Sequence, residues 1–163
     1  MKVRSGGVAF AIAGVTTVLC WVLFFLFFHS PTSRFLFAVG NIVAGVGVLL
    51  IVFAMRTLRK RGQLDQDQDF TSTTRIVKQG VYAVVRHPLY LGWWLTYPAA
   101  MLVSQHWLIV VLGAIGMVSI GAITRLADRE LSAKFGPEYE RYVEQVPRLN
   151  MLWGIVKRIG RGR

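Results

Sequence analysis

The sequence has few of the residues that build disulfide scaffolds, metal centres or acidic catalytic sites. Its 163 residues include one cysteine, three histidines and eight acidic residues. The single cysteine, Cys20, excludes an internal disulfide and a cysteine metal cluster. The histidines (His29, His87 and His106) are too scattered for a metal site, and no glycine-rich phosphate loop is present. Any chemistry must therefore come from a small number of charged motifs.

Apolar residues dominate what is present. They make up 54% of the chain, and their long runs are typical of membrane spans. The length favours a single domain over residues 1–163. The sequence therefore predicts an all-α integral membrane protein with about four transmembrane helices. The predicted spans are residues 6–28, 35–55, 89–103 and 107–123.

Details within the spans predict how the helices meet. The short uncharged linker at residues 104–106 predicts a tight helical hairpin, and Pro98 should kink the third span. Asn41 is a polar residue in an apolar run, so we expect it to bond to a neighbouring helix. Small residues let membrane helices approach closely. The glycines expected at such contacts are Gly40, Gly45, Gly47, Gly113, Gly116 and Gly121.

The basic residues predict the orientation. The net charge of +11 is concentrated before the first span, between the second and third spans, and after the fourth. By the positive-inside rule, both termini and the long central loop lie in the cytoplasm, at the cell membrane of a bacterium or archaeon. A lipid bilayer, with no nucleic acid, accounts for this charge. Within the central loop, Asp65, Asp67 and Asp69 lack the glycine and glutamate of a calcium loop, which favours a solvated loop.

Two polar motifs flank the predicted hairpin and therefore lie on the same side of the membrane. The first, over residues 80–92, contains Arg86-His87-Pro88-Leu89-Tyr90-Leu91-Gly92 after a turn at Gly80. The second, over residues 125–148, contains Asp128-Arg129-Glu130-Leu131 and Val146-Pro147-Arg148. This second region predicts a cytoplasmic C-terminal helical segment, broken at Gly136-Pro137. Tyr139 and Tyr142 share a face of its second helix.

These two ordered motifs resemble the integral-membrane isoprenylcysteine carboxyl methyltransferase and phospholipid methyltransferase superfamily. The resemblance covers about residues 80–148. It implies an enzyme that uses S-adenosylmethionine at the cytoplasmic membrane face to methylate a lipophilic or small acceptor, with a carboxylate or thiol favoured. A phospholipid amine N-methyltransferase and a catalytically silent membrane scaffold are the alternatives. The sequence does not indicate the oligomeric state.

The resemblance also implies the site residues. Arginine and histidine suit the cofactor carboxylate, acidic residues suit its ammonium, and aromatic rings suit its adenine and sulfonium. His87 is the candidate base, and Arg148 is expected near the acceptor, although it could instead pair with Glu144 on the surface. Many family members have adjacent glutamates where this chain has Asp128 and Glu130. The implied cofactor-binding residues are Gly80, Tyr82, Arg86, His87, Tyr90, Gly92, Asp128, Glu130 and Tyr139.

Overall fold

The computed structural model describes residues 3–27, 32–61 and 75–161, and within these ranges the chain is helical and contains no strand. The predicted all-α class is confirmed there. The aspartates of the central loop (Asp65, Asp67 and Asp69) and His29 lie outside the described residues. The elements are α1 (Val3–Phe27), α2 (Arg34–Arg61), a 3₁₀ turn (Gly80–Ala83), α3 (Pro88–Ser104), α4 (Trp107–Phe135), α5 (Pro137–Gln145) and α6 (Met151–Arg161).

Two helices of the described ranges are long and apolar enough to cross a membrane. They are α2, with 28 residues, and α4, with 29 residues. Residues 11–26 of α1 form a shorter apolar helix. Helix α3 has 17 residues, about 25 Å at 1.5 Å per residue, which is less than the roughly 30 Å of a hydrocarbon core. The count of four spans therefore stays a prediction.

The residues of the two motifs lie at or near helix boundaries, and some of these boundaries agree with the prediction. Helix α4 continues from its apolar portion through Asp128 to Phe135 as one helix, since no proline interrupts it. It ends where expected, at Gly136, whose φ of 55° suits glycine, and Pro137 begins α5. At the first motif, Arg86 and His87 precede the helix, which begins at Pro88. Their side chains are therefore set by the loop and not by α3.

The described residues form two compact units, of which the first comprises those within residues 1–48 and 92–126. Its hairpin is as tight as predicted, because α3 ends at Ser104 and α4 begins at Trp107. Gln105 turns the chain with a φ of 52°. Its side chain accepts a 2.7 Å hydrogen bond from the Ser33 N–H and donates a 2.8 Å bond to the Ser33 carbonyl. The amide thus ties the hairpin to the start of α2.

Glycines of the first unit mark close helix contacts at some of the predicted positions. A Cβ added to Gly40 would lie 2.7 Å from Val103 Cγ2, and one added to Gly47 would lie 3.0 Å from the Gly92 carbonyl. Gly113 and Gly116 likewise meet side chains of α3, which confirms the prediction at these four positions. The prediction is wrong for Gly45 and Gly121, which face open space.

The outward faces of this unit are apolar. Asn41 does not bond to a neighbouring helix as predicted: its side chain donates to the Phe37 carbonyl of α2 itself at 2.8 Å. Because the Asn41 amide is hydrogen-bonded within its own helix, Asn41 can lie on an exposed apolar surface. A broad exposed apolar surface is expected of a protein that meets lipid. Its most exposed members include Val18, Phe25, Phe35, Ile42 and Val118.

The second unit comprises the described part of residues 49–91 together with 127–161, and it contains both polar motifs. Near α5 it has a small buried core that consists of Tyr139, Tyr142 and Val146. Leu131 and Phe135 of α4 pack against this core. The aromatic face of α5 thereby holds α5 against the charged end of α4, which places Asp128 beside the loop that carries Arg86 and His87.

Candidate active site

The two motifs are joined by their backbones. The Arg86 N–H donates to the Pro147 carbonyl at 3.0 Å, and the His87 N–H donates to the Arg148 carbonyl at 3.2 Å. The His87 carbonyl accepts a 2.8 Å bond from the Leu91 N–H, so His87 occupies the cap position before α3. These bonds fix residues 86–87 alongside residues 147–148. Two segments that are sixty residues apart therefore form one side of a single site.

Asp128 is the centre of this site. Its Oδ1 lies 2.7 Å from His87 Nε2 and accepts a 2.7 Å hydrogen bond from the Tyr139 hydroxyl. Its Oδ2 accepts a 2.6 Å bond from Arg148 Nε and lies 3.4 Å from Arg86 Nη2. The carboxylate is buried, and both of its oxygens are engaged by side chains of the protein itself. Arg148 thus reaches Asp128 and not the surface residue Glu144.

The surroundings of Asp128 fix its charge. Burial opposes ionisation, but the hydrogen bonds that the carboxylate makes with His87, Tyr139 and Arg148 outweigh it. The pKa of Asp128 is therefore held well below its usual range. Burial, and then the bond to the Asp128 carboxylate, raise the pKa of Tyr139 far above its ordinary value. Asp128 stays an acceptor and Tyr139 stays a donor at neutral pH.

Arg86 is the residue of the site best suited to bind an anionic group. Its side chain is only 6% exposed, and its Nη2 faces Asp128. Its Nε and Nη1 atoms have no hydrogen-bond partner among the described residues. A guanidinium cannot lose its charge in a protein, and buried unsatisfied donors are costly. The geometry therefore fits an anionic group that would bond to these two nitrogens.

Aromatic residues surround the charged centre. The Tyr142 hydroxyl donates a 2.6 Å bond to the Tyr82 carbonyl, which fixes the 3₁₀ turn against α5. The Tyr139 and Tyr142 rings meet edge to face at 5.9 Å, and the His87 and Tyr90 rings do so at 5.8 Å. Tyr142 is not among the site residues predicted from the sequence. The spacing of three from Tyr139 was the signal that could have placed it there.

The other predicted site residues lie elsewhere. Gly80 has a φ of 61° and lies against Thr57, so it forms the turn before the motif. Gly92 contacts Gly47 within the first unit. Glu130 is exposed, because residues two apart on a helix point in nearly opposite directions and Asp128 faces inward. The predicted residues that the structure brings together are Arg86, His87, Tyr90, Asp128, Tyr139 and Arg148.

The chain is similar in sequence to a known methyltransferase. A methanethiol S-methyltransferase of Crocosphaera subtropica is 30% identical over 115 residues. The match covers 70% of this chain and 44% of that protein, so the chain spans less than half the length of this relative. No solved structure matches.

A protein-family model also matches this chain. The model for phospholipid methyltransferases matches residues 35–136, which include Arg86, His87 and Asp128. This is well over half of the chain, and it confirms the superfamily that the two motifs resemble. The chain belongs to the phospholipid methyltransferase family.

Proposed function

We propose that this protein transfers a methyl group from S-adenosylmethionine to a small or lipophilic acceptor at the cytoplasmic face of a membrane, with a thiol or carboxylate as the accepting group. The observation that carries the proposal is the buried Arg86 guanidinium with two unpartnered nitrogens. Membership of a methyltransferase family supports the reaction class. The name of the thiol-methylating relative supports a thiol acceptor.

The donor set suits the proposed cofactor. Arg86 would bind its carboxylate through Nε and Nη1. Glu130, which points away from Asp128, is not assigned a contact with its ammonium. The rings of Tyr82 and Tyr90 offer faces for the adenine and the sulfonium. When bound, S-adenosylmethionine would supply an electrophilic methyl group. Asp128 would act by holding Arg86, His87 and Arg148 in place and would not itself contact the cofactor.

His87 is the proposed base. Ionised Asp128 can only accept hydrogen bonds, so it favours the His87 tautomer that carries its proton on Nε2. Nδ1 is then free to accept the proton that a thiol or an ammonium acceptor must lose. A carboxylate acceptor would require no such step. A His87→Gln variant should therefore lose activity toward thiols, most strongly at lower pH, and an unchanged rate and pH profile would exclude this role.

Arg148 is proposed to face the acceptor. Its Nε holds Asp128, while its side chain is 37% exposed and remains accessible. A partly exposed guanidinium beside the reacting centre would attract a thiolate or carboxylate. An Arg148→Lys variant should keep the charge but lose the fixed bond to Asp128. We expect its KM for an anionic acceptor to rise more than its affinity for the cofactor falls.

The membrane arrangement completes the proposal. Four spans with both termini cytoplasmic would place both motifs on the cytoplasmic side. Helix α2 supports this orientation because it ends in Arg59, Lys60 and Arg61. Labelling of single cysteines introduced at Gln145 and at Ser33 tests it. Membrane-impermeant reagents should reach position 33, and not position 145, in intact cells; the reverse pattern would contradict the orientation.

The first experiment is cofactor binding to the purified protein in lipid nanodiscs, measured by calorimetry. We expect the wild-type protein to bind S-adenosylmethionine and Arg86→Ala to lose most of its affinity. Arg129→Ala removes an exposed arginine of α4 beside Asp128 and is the matched control. Equal loss in both variants would indicate a general charge effect. Absence of binding by folded wild-type protein would favour the silent scaffold.

The acceptor is identified by transfer of a labelled methyl group. Methanethiol, a prenylated cysteine and phosphatidylethanolamine represent the thiol, carboxylate and amine classes. We expect labelled dimethyl sulfide from methanethiol, with no product from the lipid amine. The opposite preference would establish the phospholipid N-methyltransferase alternative, which the name of the matching family model allows.

A further inference from the structure

Helix α6 has an exposed apolar row that the proposed reaction does not use. Leu152, Val156 and Ile159 follow the spacing of one helix face, and Trp153 borders them. These four side chains are between 54% and 78% exposed. In the described part of the chain nothing covers them. An apolar row of this kind indicates a surface that meets an apolar environment.

The opposite side of α6 is held firmly, so the direction of the apolar row is fixed. Gly154 lies directly on the Val84 carbonyl, where a Cβ would overlap the backbone. Lys157 donates a 2.7 Å hydrogen bond to the Glu144 carbonyl of α5. The side chain of Asn150 accepts a 2.9 Å bond from the Trp153 N–H and caps the start of the helix. Because these contacts hold the opposite side of α6 against the protein, its apolar row faces outward.

The charges of α6 indicate what meets this row. The helix contains Lys157, Arg158 and Arg161 and no acidic residue. Arg158 is exposed to solvent. An apolar row bordered by cations fits the surface of an anionic bilayer, where acyl chains receive the apolar side chains and phosphates pair with the cations.

We propose that α6 is an interfacial helix that inserts its apolar row into the headgroup boundary of an anionic leaflet. Leu152, Val156 and Ile159 enter the acyl region, and Trp153 takes the interfacial position that indoles favour. Arg158 contacts lipid phosphates. This role is independent of the methyl transfer and holds whichever acceptor the protein uses.

The test places a polarity-sensitive fluorophore on the full chain, with one protein per nanodisc. A Leu152→Cys reporter is compared with a Glu140→Cys reporter on exposed α5, both in a Cys20→Ala background. In discs containing phosphatidylglycerol we expect spin-labelled lipids to quench the Leu152 reporter at least about twofold more than the Glu140 reporter. Neutral phosphatidylcholine discs should reduce this difference. Joint replacement of Arg158 and Arg161 by glutamine should remove its dependence on anionic lipid.

Two results would overturn the proposal. If the Leu152 reporter remains as accessible to water as the Glu140 reporter in anionic discs, the row does not meet lipid. If it becomes protected only when two proteins share a disc, the row is an interface between copies of the chain. Helical circular dichroism and a monodisperse size-exclusion profile, measured on the same preparations, show that the protein is folded in each case.

Discussion

Replacing Asp128 by asparagine should destabilise the protein strongly, because one carboxylate serves four partners. The substitution keeps the shape but removes the charge facing Arg86 and Arg148, and it turns an amide donor toward groups that are themselves donors. The Tyr139 hydroxyl and His87 lose a charged acceptor as well. The variant leaves Arg86 buried without its counter-charge.

The magnitude follows from these contacts. Hydrogen bonds to charged groups contribute about 1.5–3 kcal/mol each, but those made to one carboxylate are not additive. Breaking a buried ion pair costs about 3–5 kcal/mol, and the 37% exposure of Arg148 favours the lower end. We therefore expect a loss of about 3 kcal/mol, which corresponds to a Tm lower by about 6–12 °C for a chain of this size.

The assay is thermal unfolding in detergent, followed by the fluorescence of the buried aromatic residues. Glu138→Gln is the matched control. The Lys78–Glu138 pair has the same 2.7 Å separation as the His87–Asp128 pair, but its side chains are 41% and 56% exposed. Exposed pairs contribute little, so the control should leave Tm unchanged. If Asp128→Asn lowered Tm no more than Glu138→Gln, the description of Asp128 as the organising residue of the site would be refuted.

Three further predictions concern pH and packing. Because folding lowers the pKa of Asp128, its carboxylate stabilises the folded state at pH values above 3.8, its ordinary pKa, and this stabilisation is lost as the pH falls below that value. The difference in Tm between wild type and Asp128→Asn should therefore be constant at about pH 5–8 and should disappear in stronger acid. A gap that already closes near pH 6 would contradict this assignment. Gly154→Ala should destabilise by about 1–3 kcal/mol in the same unfolding assay because its Cβ would meet a backbone carbonyl, whereas Gly160→Ala, which faces open space, should be neutral or slightly stabilising. Gly40→Val should disrupt the contact of α2 with α3 and lower the yield of folded protein on size-exclusion chromatography. Gly45→Val is the control and should leave the yield unchanged, because no atom lies within 4 Å of its Cβ position. Equal effects of the two variants would contradict the contact between α2 and α3 at Gly40.

The sequence predicted the helical class, the tight hairpin and the break at Gly136 because each depends on local chemistry. Apolar runs, a short uncharged linker and a Gly-Pro pair specify these features without knowledge of tertiary contacts. The extent of α4 was less predictable. Its composition changes at Arg125 from apolar to charged, but a helix requires no change in backbone conformation at such a point.

The site could be predicted as a set of residues but not as a network. Asp128 and Glu130 look equivalent in the sequence, and helical phase alone separates the buried acceptor from the exposed carboxylate. The pairing of residues 86–87 with residues 147–148 is made by backbone atoms, which leave no trace in side-chain identity. The unpartnered nitrogens of Arg86 are likewise visible only once its surroundings are known.

The most direct test of the account compares S-adenosylmethionine with its decarboxylated analogue, which lacks the group that Arg86 is proposed to bind. Loss of a charged hydrogen-bonded contact of about 1.5–3 kcal/mol corresponds to roughly tenfold to a hundredfold in Kd. We expect wild-type protein to prefer the intact cofactor by this factor and Arg86→Ala to bind both molecules equally. A wild-type protein that bound both equally well, or an Arg86→Ala variant that kept the full preference, would contradict the proposed role of Arg86.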